Sequence, residues 1–461
     1  MKELTLKQAA EDCRGTLTPE QAEGMITGVQ IDSRRVKPGD LFVAIKGEKS
    51  DGHDFIGMAA SLGASAALVQ RPVKAAIPTI LVPDTIKAYG DLAAARRERM
   101  GVNVIGITGS VGKTTTKEMT ACMLERTYRT ARTEGNHNNN IGLPMTILDM
   151  PDDTETAVLE LGMNHFGEMA RLTSIAKPDI AVITNIGTSH IEFLGSREGI
   201  CKAKLEILEG LQEGGAAVLC GDEPLLWDKR ESLGCKAVTY GIENSACDLT
   251  AHLHSDGTFD IVNNGLAAAY LPVGEKFTAK LSIPGKHNVL NALAAAAVGL
   301  LLGETPELIA QGLLSYQASG MRQNIYEQDG YHIYADCYNA SPDAMEATLS
   351  VLGGMAGNGR RFAVFGSMLE LGDYAEEGHR RAGRAAGQYA DALYAYGPDA
   401  AAMVAGAREK GMEHAYAFDD QTALVAALRE DAKKGDALLF KGSRGMRMEK
   451  ALSLFLKEEE S

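Results

Sequence analysis

The glycine-rich segment GITGSVGKTTTKEM, at residues 106–119, constrains the fold of this chain more than any other feature. It lies between a compact apolar run and a helical pattern, which is the setting of a phosphate-binding loop. Gly109 and Gly112 let the backbone curl so that its N–H groups face phosphate oxygens at a helix N-terminus. Lys113 is expected to reach the β- and γ-phosphates, and the Thr114 hydroxyl to bind Mg²⁺. The segment therefore predicts a nucleotide phosphate site.

Two further apolar runs deliver polar side chains at their ends. TAVLELGMN carries Glu160, and DIAVITNIGTSH carries His190. Continuous rather than alternating hydrophobicity is typical of strands covered on both faces, as in a parallel sheet. Because ligands collect beyond the carboxyl ends of such strands, we expect Thr114, Glu160 and His190 to converge on one triphosphate. Glu offers hard oxygen to Mg²⁺, whereas a lone His is more often a capping or core residue.

The length of 461 residues suggests about three domains. We predict an α/β fold with a small α/β N-terminal domain at 1–98 and a central parallel-sheet ATPase domain at 99–318. A second series of strands, YHIYADC, RFAVFGS, DALYAYG and DALLFKGS, alternates with helices and predicts a Rossmann-like C-terminal domain at 319–461. A Gly-punctuated stretch near 247–285 predicts a β excursion before an Ala-rich helix.

Composition excludes several classes of protein. The chain has 46 basic and 61 acidic residues, a net charge of −15, which argues against a general nucleic-acid binder. The N-terminus has acids where a signal peptide needs an apolar core, and the apolar stretch from Val289 to Leu302 is too short to cross a bilayer. The seven cysteines form no CxxC pair, so we expect neither a zinc site nor a disulfide framework. This use of cysteine favours a location in the reducing cytoplasm.

Several longer segments resemble the Mur ligase family, and together they span nearly the whole chain. The family's phosphate loop reads TGxxGKTT without a leading small residue, which accounts for Ile107. The similar segments are residues 32–56, 133–148, 160–208, 284–295, 336–345, 367–372 and 441–449. Three positions depart from the family pattern, namely Ser341, Ala344 and Ser367.

The resemblance implies an ADP-forming ligase that uses ATP and Mg²⁺ to join D-alanyl-D-alanine to UDP-N-acetylmuramoyl-tripeptide through an acyl phosphate. This is the last cytoplasmic step of peptidoglycan precursor pentapeptide synthesis. The resemblance assigns the UDP-substrate to the N-terminal domain and the dipeptide to the C-terminal domain of a monomer. The segments NHNNNIGLP and YNASP favour this activity over addition of the third amino acid or of glutamate to folate. A nucleotide-dependent switch without ligase activity is the alternative from another class.

The resemblance also implies a role for individual residues. The ATP set is Thr108, Gly109, Ser110, Gly112, Lys113, Thr114, Thr115, Asn288, Asn291, Arg322 and Asp336. The metal set is Thr114, Glu160, His190 and Lys204, with Lys204 carbamylated by CO₂; Lys113, Arg322 and Asp336 complete the catalytic set. Substrate contacts are expected from Ser33, Arg34, Asn136, Asn139, Asn140, Asn339, Ser443 and Arg444. From the residues alone, Lys204 would instead be a solvated helix lysine.

Overall fold

The computed structural model describes residues 3–19, 22–318, 320–355, 357 and 359–457. Its large sheets follow one another along the chain, each with helices against it. Residues at the ends of the predicted domains, namely 1, 2, 319 and 458–461, lie outside the described residues. In the described part of the chain no helix has the length and apolar character to cross a bilayer, and the seven cysteines are free thiols.

The N-terminal segment builds a five-stranded sheet in the order β2-β7-β6-β5-β4, and β1 pairs separately with β3. Its strands are β1 (Leu4–Thr5), β2 (Thr16–Thr18), β3 (Met25–Ile26), β4 (Gly28–Gln30), β5 (Asp40–Val43), β6 (Ala66–Val69) and β7 (Thr79–Leu81). Its helices are α1 (Leu6–Asp12), α2 (Ile56–Ser61) and α3 (Thr85–Met100). Asp84 caps α3 by accepting from the N–H groups of Ile86 and Lys87.

The central segment builds a nine-stranded sheet in the order β16-β15-β14-β13-β12-β11-β8-β10-β9. Its strands are β8 (Asn103–Thr108), β9 (Thr130–Arg132), β10 (Thr156–Glu160), β11 (Ile180–Ile183), β12 (Ala216–Cys220), β13 (Lys236–Gly241), β14 (Leu249–Leu253), β15 (Thr258–Asn263) and β16 (Lys276–Lys280). Its helices are α4 (Lys113–Leu124), α5 (Gly142–Asp149), α6 (Glu168–Ala176), α7 (Ile191–Leu194), α8 (Arg197–Leu205), α9 (Pro224–Trp227), α10 (Lys286–Leu301) and α11 (Pro306–Ser315). Strands β8 to β14 pair in parallel and the last two add antiparallel. Strands β14 to β16 form the β excursion predicted near 247–285.

The C-terminal segment builds a six-stranded sheet in the order β17-β18-β22-β19-β20-β21, parallel except for β17. Its strands are β17 (Asn324–Gln328), β18 (Tyr331–Asp336), β19 (Arg361–Gly366), β20 (Ala392–Tyr396), β21 (Ala415–Phe418) and β22 (Ala437–Lys441). Its helices are α12 (Pro342–Leu352), α13 (Ala375–Tyr389), α14 (Ala400–Glu409), α15 (Gln421–Asp431) and α16 (Met448–Leu456). The predicted α/β class with parallel sheets is confirmed.

The first two segments share one large buried apolar core, and the third segment has buried apolar clusters of its own. One buried core runs from Leu4 to Tyr316, whereas the C-terminal segment has its own clusters on the two faces of its sheet. The successive residues Phe362 and Ala363 of β19 point to opposite faces of the sheet, and they belong to different clusters. Ile191 of α7 packs against both the shared core and one of the C-terminal clusters, so the C-terminal segment meets the central segment through apolar as well as polar contacts.

Candidate active site

The phosphate loop connects β8 to α4 at the carboxyl edge of the central sheet. Gly112 stands at the N-cap of α4 with a φ of 84°, a left-handed conformation that favours glycine. The Lys113 ammonium folds back over the loop and donates to the carbonyls of Gly109 at 2.8 Å and Ser110 at 3.3 Å. The loop thus presents a helix N-terminus to the space above the sheet, while its own carbonyl groups hold the Lys113 side chain.

The segment after β11 holds this loop in shape. The Asn185 Oδ1 accepts from the backbone N–H groups of Ser110 and Val111, both at 3.0 Å. The Thr184 hydroxyl donates to the Val111 carbonyl at 2.6 Å. Sequence reasoning missed Asn185, although a polar side chain directly after a buried strand was a signal that could have found it. The loop apex is therefore anchored to the neighbouring strand rather than to its own turn alone.

Glu160 ends β10 beside the loop and is 2% exposed. The parallel register pairs it with Ile107 of β8, which brings its carboxylate next to the start of α4. One carboxylate oxygen accepts from the Thr114 hydroxyl at 2.8 Å, and the other accepts from the Asn138 side-chain amide at 2.8 Å. The hard oxygens of Thr114 and Glu160 thus lie together at the phosphate loop.

Lys204 lies on α8 with 2% exposure, so the alternative of a solvated helix lysine is wrong. Its burial, with a smaller contribution from the charge of Lys113, pushes the pKa of its amine well below the usual range. Burial also lowers the pKa of Lys113, and Glu160 opposes that shift. Two lysine side chains thus lie close together at the phosphate loop, and the Glu160 carboxylate partly offsets the shift of Lys113.

His190 precedes α7 in a left-handed conformation with a φ of 63°. Its Nδ1 is buried and lies 2.8 Å from Glu370 Oε2 of the C-terminal segment. This contact lowers the pKa of Glu370. Among the described residues, no three His, Cys, Asp or Glu side chains gather into a metal cluster.

The C-terminal segment closes the site from above. The Arg322 guanidinium stacks on the Tyr338 ring, 3.8 Å from its centre. Asp336, at the end of β18, forms an ion pair with the buried Lys441, whose ammonium also donates to the Asn339 carbonyl at 3.0 Å. A network of charged groups from this segment therefore stands opposite the phosphate loop.

Gln323 connects the segments on the other side of the cavity. Its side-chain amide donates to the Thr115 hydroxyl at 3.3 Å, and its carbonyl oxygen accepts from the Asn288 amide at 2.7 Å. Its backbone N–H donates to Asp336 at 3.3 Å. Sequence reasoning missed Gln323, because nothing in its neighbourhood along the chain marks a residue whose partners lie on three different elements.

Most of the predicted site residues line one cavity of about 680 Å³ between the central and C-terminal segments. Those on its wall are Ser110, Gly112, Lys113, Thr114, Thr115, Asn136, Asn139, Asn140, Glu160, His190, Lys204, Asn291, Arg322, Asp336 and Asn339. Those not on its wall are Thr108, Gly109, Asn288, Ser33, Arg34, Ser443 and Arg444. The Asn140 Oδ1 is buried without a hydrogen-bond partner, so this wall retains an unused acceptor.

Three of the predicted substrate residues, Arg34, Ser443 and Arg444, have contacts within their own segments. Arg34 forms an ion pair with Asp32 at 2.7 Å, in a short turn that begins at Ser33. Ser443 accepts through its hydroxyl from the Leu369 N–H at 2.9 Å, and Arg444 pairs with Glu449 at 2.7 Å.

Of the three departures from the family pattern, Ser341 and Ala344 line the cavity and Ser367 does not. The Ser341 hydroxyl caps α12, and the N–H group of Ala344 is the donor in that cap at 3.4 Å. The Ser367 hydroxyl accepts from the Asp399 N–H at 3.1 Å. None of these contacts involves the phosphate loop or Glu160.

A parallel sheet with a phosphate loop, an adjoining carboxylate and a second α/β segment over the same cavity defines a nucleotide-binding α/β protein. Three family models match the chain in succession: the Mur ligase family, catalytic domain, at residues 25–102, the Mur ligase middle domain at 107–299, and the Mur ligase, glutamate ligase domain, at 321–444. The chain belongs to the Mur ligase family.

Similar proteins span the same length. The UDP-N-acetylmuramoyl-tripeptide--D-alanyl-D-alanine ligase of Bacillus subtilis is 41% identical over 97% of both chains, and that of Escherichia coli is 37% identical over 98% of both. A crystal structure of MurF from Acinetobacter baumannii superposes with a TM-score of 0.90 at 33% identity over 99% of both chains. MurF ligase from Thermotoga maritima in complex with ADP gives 0.82 at 33% identity, over 94% of this chain and 97% of that one.

Proposed function

We propose that this protein is an ATP-dependent ligase that joins D-alanyl-D-alanine to UDP-N-acetylmuramoyl-tripeptide in the cytoplasm, completing the peptidoglycan precursor pentapeptide. Full-length relatives that carry this name support the choice of substrates. The observation that carries the chemistry is the cavity shared by the phosphate loop, Glu160, Lys204 and the charged network of the C-terminal segment.

The reaction has to activate a carboxylate, which is a poor electrophile. Transfer of the γ-phosphoryl group from ATP to the terminal carboxylate of the tripeptide forms an acyl phosphate and ADP. The dipeptide amine then attacks the acyl carbon and loses a proton, and collapse of the tetrahedral species releases inorganic phosphate and leaves the amide. Lys113 and the N-terminus of α4 stabilise the charge on the phosphoryl oxygens during the first step.

Thr114, Glu160 and His190 would hold Mg²⁺ together with the triphosphate. The adjoining oxygens of Thr114 and Glu160 fit a metal with few protein ligands, and His190 lines the same cavity. When bound, Mg²⁺ neutralises charge on the phosphate oxygens.

The chemistry of Lys204 fits carbamylation. An amine attacks CO₂ only when it is uncharged, and burial favours that form of Lys204. The new N–C bond and the loss of one proton convert a cationic side chain into an anionic one. This change would leave Lys113 beside two anionic groups in place of one, which suits a site that has to attract divalent cations.

Exclusion of water matters because an acyl phosphate hydrolyses readily. Arg322, Gln323 and Asp336 lie where the C-terminal segment covers the phosphate loop, so they would hold the site shut during the reaction. The predicted domains at 1–98, 99–318 and 319–461 would bind the UDP-substrate, ATP and the dipeptide. Ser33 and Arg34 would contact the UDP group, Asn136, Asn139 and Asn140 the muramoyl-peptide, and Asn339, Ser443 and Arg444 the dipeptide.

The test is ADP formation across a matrix of UDP-muramoyl-peptides and amino acids or dipeptides. We expect turnover only when UDP-muramoyl-tripeptide and D-alanyl-D-alanine are both present. Turnover with the dipeptide-length UDP-substrate and a free amino acid would identify a ligase for the third residue instead. ATP hydrolysis that needs neither substrate would favour a nucleotide-dependent switch.

A further inference from the structure

One carboxylate of the C-terminal segment reaches into the central sheet. Asp343, in the first turn of α12, accepts through Oδ2 from both the backbone N–H of Thr188 at 2.9 Å and its hydroxyl at 3.1 Å. A Cβ at Gly187 would lie 2.3 Å from the same oxygen, so this approach requires glycine there. The other oxygen, Oδ1, lies 3.0 Å from Arg381 of its own segment. Asp343 is thus held by its own segment on one side and by the central segment on the other.

The backbone that Asp343 binds connects two parts of the active site. On one side, the Gly187 N–H donates to the Ser110 hydroxyl at the apex of the phosphate loop at 2.9 Å. On the other side, His190 follows Thr188 by two residues and faces the cavity in its left-handed conformation. Thr188 itself is 4% exposed, so its N–H would lose a partner that water could not easily replace.

We propose that Asp343 is a positioning residue that fixes residues 187–190, and with them the His190 ring, when the C-terminal segment is docked on the central sheet. This inference rests on the proposed role of His190 as a metal ligand. Asp343 is not on the cavity wall, so its effect passes through the backbone it binds. Docking of the segment that covers the site and completion of the metal site are then one event.

Glu346 supplies a matched control on the same helix. Its carboxylate binds Arg381 with an Nε–Oε1 distance of 2.7 Å, as Asp343 does from one turn earlier. That contact lies wholly within the C-terminal segment. Glu346→Gln therefore weakens an Arg381 ion pair without touching Thr188, whereas Asp343→Ala removes the contact between segments.

The experiment measures Mn²⁺ affinity of the protein–ADP complex, from the electron paramagnetic resonance signal of free Mn²⁺, together with amide hydrogen exchange of the peptide that contains residues 184–190. We expect Asp343→Ala to weaken Mn²⁺ binding about tenfold, the scale of changes in groups that orient metal ligands. Exchange in that peptide should accelerate as well. Asp343→Asn retains an oxygen acceptor and should fall between, and Glu346→Gln should match the wild type in both measurements.

His190→Ala serves as the reference for a direct ligand. If it weakens Mn²⁺ binding while Asp343→Ala behaves like Glu346→Gln in both measurements, the positioning role of Asp343 is overturned. If Asp343→Ala accelerates exchange but leaves Mn²⁺ affinity unchanged, docking does not orient the ligand, and the inference fails. If His190→Ala itself leaves Mn²⁺ affinity unchanged, the proposed metal role of His190 is wrong and the inference is overturned with it.

Discussion

Two glycines with nearly the same backbone allow a sharp test of how the phosphate loop is held. Gly112 begins α4 with a φ of 84°, and Gly167 begins α6 with a φ of 82°. A Cβ at Gly112 would lie 2.4 Å from Asn291 Oδ1, whereas a Cβ at Gly167 would meet nothing within 4 Å. Alanine at either position strains the backbone, but only at Gly112 does it also collide with a buried side chain.

The two losses of stability can be compared from these contacts. The left-handed conformation costs alanine roughly 1–2 kcal/mol at both positions. At Gly112 the clash adds about 1–3 kcal/mol of overpacking. Moving Asn291 also weakens its hydrogen bond from the Thr116 hydroxyl, 3.2 Å long, by about 1 kcal/mol. We therefore expect Gly112→Ala to lose about 3–6 kcal/mol and Gly167→Ala about 1–2 kcal/mol.

Urea unfolding followed by circular dichroism, with calorimetric titration of ADP, measures both consequences. Gly112→Ala should unfold at lower urea and bind ADP at least tenfold more weakly, because the loop N–H groups move with Asn291. Gly167→Ala should bind ADP as the wild type does. Equal losses of stability in the two variants, or unchanged ADP binding by Gly112→Ala, would refute the reasoning about this close approach.

Three further perturbations test separate parts of the site and fold. Lys204→Ala should lose ligase activity, measured as ADP formation, and should regain part of it when acetate or formate is added. Activity near that of the wild type would contradict the proposed carbamylation of Lys204. Asn185→Ala removes the side-chain oxygen that accepts from the Ser110 and Val111 N–H groups and leaves Ser110 only its bond to the Asn185 backbone carbonyl, so ADP affinity should fall on the order of tenfold. Unchanged affinity would contradict the anchoring role of that side chain. Burial lowers the pKa of His379, so below about pH 6.5 the unfolded chain binds more protons than the folded one. The free energy of unfolding should therefore fall as pH drops from about 7 to 5, and it should fall less steeply in His379→Gln. The measurement is urea unfolding at several pH values, and the same dependence of the unfolding free energy on pH in both proteins would contradict this expectation.

The parts of the fold with strong local patterns could be predicted from sequence. The run before Gly109 and the runs that end at Glu160 and before His190 are continuous apolar segments, and they form adjacent strands β8, β10 and β11. β21 was missed because AYAF is short and lies at a sheet edge with two exposed positions. The domain boundaries stay predictions, since no sharp change in composition marks them.

Site residues that belong to a local sequence motif could be predicted from the sequence. Site residues whose surroundings come from distant parts of the chain could not. Lys113 and Thr114 belong to the phosphate loop, so their place follows from local sequence. The burial of Lys204 depends on how α8 packs, which periodicity does not show. Asp343 bonds to Thr188 across 155 residues, and such a pairing exists only once both segments are folded and docked.

Tracing an oxygen isotope from the peptide carboxylate to inorganic phosphate tests the acyl-phosphate intermediate most directly. The terminal carboxylate of UDP-muramoyl-tripeptide would be labelled with ¹⁸O and turned over with ATP and D-alanyl-D-alanine, and the inorganic phosphate analysed by mass spectrometry. We expect each phosphate released to carry one oxygen from the peptide, because that oxygen bridges carbon and phosphorus in the acyl phosphate. Unlabelled phosphate, with peptide bond formation intact, would contradict activation of the carboxylate by phosphoryl transfer.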